Sequence, residues 1–213
     1  METGRDTAGT ALRPTPRQEE ILDHAMALVR RGGLAAVTTK RLAESVGFTE
    51  AALYRHFPSK RALILGMIDR LEAMLLGPIR EIAGDETLAV GERLERIVRH
   101  HTAIVREHRS LPILLLAEAS VSEDEALLAR MTAMFSAYLG IVEELVRKGQ
   151  DRGELVADPE PDCLALLLIG APAALAIRHR LLPDGEAEQR FSDSLIPFLL
   201  RSIRSERTVG RSR

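Results

Sequence analysis

The chain has 213 residues, 46% of them hydrophobic and 28% charged, with a formal net charge of −2, one cysteine and no tryptophan. A balance so close to neutrality excludes a general polycation, so any nucleic-acid binding has to come from a local basic surface. The single Cys163 excludes an intramolecular disulfide and, among apolar neighbours, is expected in the core of a reduced protein, while abundant Leu and Ala with few β-type alternations favour an all-α fold.

Residues 1–16 are rich in Gly, Thr, Ala and Pro without apolar periodicity and are expected to form a disordered arm. The first helix is expected over 17–31, with Ile21, Leu22, Ala25, Leu28 and Val29 as one apolar stripe and Gly32-Gly33 as its end. Leu34 and Val37 belong to the same small core. The stretch 38–61, TTKRLAESVGFTEAALYRHFPSKR, then reads as two short helices joined by a tight turn and the start of a third. Leu42, Ala43 and Val46 fall at helical spacing, as do Leu53 and Phe57. Between them, Gly47 can take the positive φ that ends a helix, and Thr49 can cap the next one. Ala43 is small enough for the second helix to cross closely over the first. These are the steric requirements of a helix-turn-helix, whose second helix, here 50–57, enters the DNA major groove.

Ser59 can cap a long helix through Leu63, Met67, Leu71, Met74 and Leu75 to about 76, where Gly77-Pro78 is expected to break or kink it. Further helices are expected over 92–108, 110–119, 123–148, 161–181 and 186–204, with a polar connection over 149–161 and a disordered basic tail over 205–213. The helix over 161–181 is apolar nearly all round as far as Arg178, which calls for cover on more than one side. A second subunit is the expected cover, with the last two helices of each copy forming a four-helix bundle; Phe191, Leu195, Phe198 and Leu199 share one face of the last. No apolar run reads as long enough to cross a membrane, because the longest, 163–177, contains Gly170 and Pro172. No signal-peptide region is seen either, and a cytoplasmic location is expected.

The string TTKRLAESVG-FTEAALYRHFPSK-RAL resembles the DNA-binding signature of the TetR family of transcriptional regulators. The resemblance rests on the Thr pair, Leu42-Ala43, Gly47, the run Leu53-Tyr54-Arg55-His56-Phe57 and Ser59-Lys60, and covers roughly 17–65. It implies a three-helix DNA-binding domain (17–62) and a C-terminal helical effector-binding and dimerisation domain (63–204). It also implies a homodimer on a palindromic double-stranded operator, more in keeping with a repressor than an activator, and released by a small molecule. The segment TEAALYRHFPSK is similar as well to nucleoid-occlusion members of that family, so a DNA-bound adaptor acting through a protein partner is the alternative.

Thr39 and Lys40 open the first motif helix, where free N–H groups and the helix dipole favour a phosphate. By resemblance these two are backbone contacts, together with Tyr54, His56 and Lys60. Base reading falls to Glu50, Ala51, Ala52 and Arg55: Arg can pair with guanine, Glu can accept from cytosine, and an alanine methyl can meet that of thymine. Glu50 has an equal claim as an acidic residue at a helix start. Candidate effector contacts are Met74, His101, Ile104, Leu115, Glu118, Phe135, Tyr138 and Arg178, although a Met-Phe-Tyr stripe is ordinary core chemistry too. His100, His101 and His108 lack the i, i+4 spacing of a chelating pair, so neither a metal nor a cofactor is expected. No nucleophile elbow or phosphate-cradling glycine loop is present, and an enzyme is not expected.

Overall fold

Hydroxyl caps set the first four helices of the computed structural model, which describes residues 14–182 and 189–205. Thr15 accepts from the Gln18 N–H while the Gln18 side chain accepts from the Thr15 N–H at 2.9 Å, a reciprocal cap that starts α1 (Pro16–Gly32). Thr15 and Pro16, expected in the arm, therefore belong to the folded protein; residues 1–13 lie outside the described residues. A 3₁₀ turn (Leu34–Ala36) follows, then α2 (Thr39–Val46), α3 (Glu50–His56) and α4 (Lys60–Gly84), capped by Thr38, Thr49 and Ser59. Ile21, Leu22, Ala25, Met26 and Val29 of α1 bury against Leu34, Leu42, Ala43, Leu53, Phe57 and Met67. Met26 takes the place expected for Leu28, which is half-buried.

α4 does not break at Gly77-Pro78: it runs on to Gly84. Proline removes the N–H that would have bonded to the carbonyl four residues back, that of Met74. That carbonyl is satisfied from outside instead, because His100 Nε2–H donates to it at 3.0 Å. Leu75, Leu76 and Ile79 hold both sides of the proline in the core.

The other helices are α5 (Val90–His108), α6 (Leu111–Val121), α7 (Glu125–Asp151), α8 (Pro161–Leu181) and α9 (Ile196–Ser202), the last preceded by a π-helical turn (Phe191–Leu195). Residues 183–188, at the expected start of the last helix, lie outside the described residues, as do 206–213 of the expected tail. α5 and α7 each pack on α4, on α8 and on one another, and all four of these helices also meet α6. The helix ends are stitched by polar groups: buried Arg93 donates to the Ala83 carbonyl of α4 at 3.0 Å, and Glu154 accepts from the Val90 N–H that starts α5 at 3.0 Å. Past α9 the chain returns to the α7–α8 connection, where the Val156 N–H donates to the Ile203 carbonyl at 2.9 Å and the Ser205 N–H to the Glu154 carbonyl at 3.0 Å.

Three sequence expectations change here. Gly170 and Pro172 do not interrupt α8, and both α7 and α8 are long and apolar enough to cross a bilayer by composition, with mean hydropathies of 1.3 and 1.5 over their most apolar windows. Both are core helices of the body, burying Leu145 and Val146 in one and Leu164, Leu168 and Ile169 in the other. Cys163 is exposed rather than buried, because it lies in the first, solvent-facing turn of α8 beside Asp162. Finally, Phe198 and Leu199 do not share a face of α9, Phe198 being 60% exposed and Leu199 buried; on α8, Leu166, Leu167, Ile177 and Leu181 are about half exposed or more, as a helix awaiting further cover is expected to be.

Two glycines of α7 make opposite demands. A Cβ at Gly149 would stand 2.6 Å from Leu155 Cδ1 and 3.0 Å from Val90 Cγ1, whereas one at Gly140 would meet nothing within 4 Å. Gly149→Ala is therefore expected to destabilise the fold by about 1–2 kcal/mol through overpacking. Gly140→Ala is expected to stabilise it by about 0.5–1 kcal/mol through helix propensity. Urea midpoints of the two variants check the pair of signs.

Candidate nucleic-acid interface and body cavity

The turn between α2 and α3 is closed by backbone geometry that glycine permits. Gly47 sits at φ 76°, ψ 34°, and the Phe48 N–H reaches back to the Ala43 carbonyl at 2.8 Å. Thr49 then accepts from the Ala52 N–H at 3.2 Å, turning the chain into α3. Ala43 is buried beneath the crossing, and Leu53 and Phe57 point inward. The outward face of α3 carries Glu50, Ala51, Tyr54 and Arg55, all exposed, with Ala52 half-buried beside them.

Thr39, Tyr54 and Lys60 come from three different helices and border one hollow of about 280 Å³, together with Thr38 and Ser59. Thr39 Oγ1 and Tyr54 Oη are 3.4 Å apart, and Lys40 is exposed nearby at the start of α2. Two helix N-termini with their free N–H groups therefore flank the same hollow. His56 is more enclosed: it is half-buried, its ring stacks on Phe48 at 6.0 Å between centroids, and its carbonyl accepts from Gln18 Nε2 at 3.2 Å. The Arg17 guanidinium covers the Phe48 ring at 4.0 Å, so α1 braces the α2–α3 turn through a cation–π contact and the C-terminal end of α3 through Gln18. Sequence reasoning missed Arg17, which carries no local signal of that role.

Lys60 and its neighbour tie this face to the rest of the molecule. Lys60 Nζ stands 3.9 Å from Glu118 Oε1 on α6, and Arg61 makes two hydrogen bonds, of 2.5 and 3.1 Å, to Asp124, which caps α7. The Arg61 hydrogen bonds hold the Asp124 carboxyl below its ordinary pKa. Arg130 of α7 pairs with Asp69 at 2.5 Å and Glu72 at 3.1 Å on α4.

Behind α6 and α7 lies a cavity of about 410 Å³ with walls from α4 to α8. Four of the expected effector contacts, His101, Ile104, Phe135 and Tyr138, line it. The other four do not: Leu115 is buried elsewhere in the core, Met74 engages His100 through its carbonyl, Glu118 faces Lys60, and Arg178 lies in the last turn of α8. Leu71, Leu75, Met131, Met134 and Ile169 also line it, and their helical spacing reads in the sequence as ordinary core. Tyr138 Oη and His101 Nδ1 are 3.2 Å apart with their rings edge to face. Burial, and secondarily the neighbouring His100, hold the His101 imidazolium pKa down at about 4; burial raises that of Tyr138.

A helix-turn-helix reader braced against a helical body with an internal apolar cavity defines a DNA-binding regulator. Residues 21–67 match the model of bacterial regulatory proteins of the tetR family, and residues 87–177 match the tetracyclin repressor-like C-terminal domain. The nucleoid occlusion factor SlmA of Vibrio campbellii is 32% identical over 157 residues, covering 73% of this chain and 80% of that one. Two solved structures share the fold at lower identity. FadR of Bacillus subtilis in complex with stearoyl-CoA has a TM-score of 0.71 and 15% identity, over 87% of this chain and 98% of its own. AibR in complex with isovaleryl coenzyme A and operator DNA has a TM-score of 0.70 and 20% identity, over 86% and 98%. The chain belongs to the TetR family of DNA-binding regulators.

The His101 site sets a pH dependence. The unfolded chain protonates this histidine near pH 6.5 and the folded one only near 4, so between those values the unfolded state holds more protons. Stability is expected to be insensitive to this group above pH 6.5 and to fall on acidification towards pH 4, by about 3 kcal/mol at most. Urea midpoints at pH 7.5 and 4.5 should show a smaller acid loss in His101→Phe than in the wild type.

Proposed function

We propose that this TetR-family protein is a homodimeric repressor that binds a palindromic operator and is released by a small molecule held in the body cavity. The observation that carries the DNA reading is the outward face of α3, where Glu50, Ala51, Tyr54 and Arg55 are exposed over a buried Leu53 and Phe57. Thr39, Lys40, Tyr54, His56 and Lys60 hold phosphates, and Arg55, with Glu50, Ala51 and Ala52, reads base edges. The exposed Leu166, Leu167, Ile177 and Leu181 of α8 and Phe198 of α9 support pairing of two copies through their last two helices. Two equivalent readers then require a two-fold operator.

The ion pairs at the start of α4 support a route for release. α6 and α7 form walls of the cavity and also carry Glu118 and Asp124, which hold Lys60 and Arg61. A ligand that shifts either wall changes how the start of α4 is presented and how far Glu118 competes with phosphate for Lys60. The domain division of the sequence reading, a reader over 17–62 and an effector and dimerisation body over 63–204, follows this route. The identity with SlmA favours a second reading, a DNA-bound adaptor that engages many dispersed sites and a protein partner.

Selection of genomic fragments by the purified protein at two salt concentrations separates the two. One or a few enriched palindromes are expected; many scattered sites would favour the adaptor, and no enrichment at either salt would remove the DNA reading. On the selected DNA, Lys60→Ala and Tyr54→Phe should weaken binding across sequences, with the salt slope of Lys60→Ala smaller by about 1. Arg55→Ala should cost about 1–3 kcal/mol and also relax base preference. Glu118→Gln should tighten binding by freeing Lys60. Equal losses with unchanged base preference in the first three would overturn this division of labour.

A further inference from the structure

The chemistry of the cavity wall selects a class of ligand. Among the described residues no Asp, Glu, Lys or Arg lines the 410 Å³ hollow. Its polar groups are Thr132, which is exposed, and the His101–Tyr138 pair, whose members are 8% and 2% exposed. Leu116, Leu128 and Phe135, each about 45% exposed, also line it and form an apolar rim towards solvent. Protein interiors hold few voids larger than a water molecule, and apolar walls do not retain water well. A hollow of this size and lining is therefore a place for an apolar guest.

The pair on its wall adds polarity without charge. Tyr138 and His101 are joined at 3.2 Å, and burial keeps both neutral at physiological pH. If His101 Nδ1 accepts the Tyr138 proton, the phenol oxygen still accepts one bond from a guest; if Nδ1–H donates, the phenol O–H is free to donate to it. In either tautomer the phenol oxygen offers the guest one hydrogen bond. A carboxylate seated there would be desolvated with no cation to balance it, at heavy cost.

We infer that the cavity takes an uncharged, largely apolar molecule of roughly sixteen non-hydrogen atoms, scaled from the 150 Å³ that accommodates benzene, with one hydroxyl or carbonyl oxygen set against Tyr138. Any charged portion of a larger ligand stays outside the rim of Leu116, Leu128 and Phe135. The regulatory meaning of this ligand rests on the repressor reading above; its binding does not.

Calorimetric titration of the whole protein at pH 7.5 with 1-decanol and with sodium decanoate compares one chain bearing two head groups. One decanol per subunit is expected, with decanoate at least tenfold weaker. Tyr138→Phe should weaken decanol about five- to tenfold, and Ala173→Phe, which fills the cavity, should abolish its binding. Decanoate binding as tightly as decanol, absence of decanol binding to the wild type, or unchanged affinity in a folded Tyr138→Phe would each overturn the inference. The wild-type comparison of head groups needs no variant to fold. Retention of the selected operator, measured in the same samples, keeps the two readings apart. Decanol binding without DNA release supports the ligand class and counts against this molecule class as an effector. DNA release by a charged molecule that occupies the cavity overturns the ligand class and leaves the repressor standing.

Discussion

One continuous helix carries the architecture. The 25 residues of α4 span about 37 Å at 1.5 Å per residue. Leu63, Ile64, Met67, Leu71, Leu75, Leu76 and Ile79 along it all belong to one continuous core that also holds Leu22 of α1 and Leu94 of α5. The helix contains a proline in its second half, where α5 supplies His100 as a donor to the orphaned Met74 carbonyl. A break there would have left the two halves of the molecule joined by a hinge. The His100 bond does not restore the missing rung of the ladder, but it leaves the Met74 carbonyl satisfied and the helix continuous to Gly84.

The reader was legible in the sequence because its instructions are local. Thr38, Gly47, Thr49 and Ser59 each act on a backbone group within a few residues, so their spacing alone sets α2, α3 and the start of α4. The inward positions Leu42, Ala43, Leu53 and Phe57 follow from the helical repeat. What escaped the sequence depends on partners far along the chain. Pro78 reads as a break until His100 is known to face Met74, and Glu118 reads as a pocket residue until Lys60 is found opposite. Cys163 reads as buried because its neighbours are apolar, yet the first turn of α8 faces outward. The cavity was half legible: the Phe-Tyr stripe of α7 and the histidine of α5 were found, but no periodicity distinguishes a side chain that fills a core from one that lines an empty part of it.

The ion pairs around α4 lie at seams between helices. Lys60–Glu118, Arg61–Asp124 and Arg130 with Asp69 and Glu72 all cross from one helix to another around α4, and all are at least partly solvated. Such pairs contribute little to stability. The apolar core between α4, α5, α7 and α8, by contrast, holds the helices by close packing.

The distribution of aromatic residues has an optical consequence. The chain has no tryptophan and two tyrosines, and these stand in contrasting places: Tyr54, 48% exposed on the face of α3, and Tyr138, 2% exposed in the cavity wall. Ultraviolet emission of the unlabelled protein therefore arises from one fluorophore beside the nucleic-acid face and one inside the apolar body. Each is its own built-in reporter, and the signal of either is isolated by replacing the other with phenylalanine.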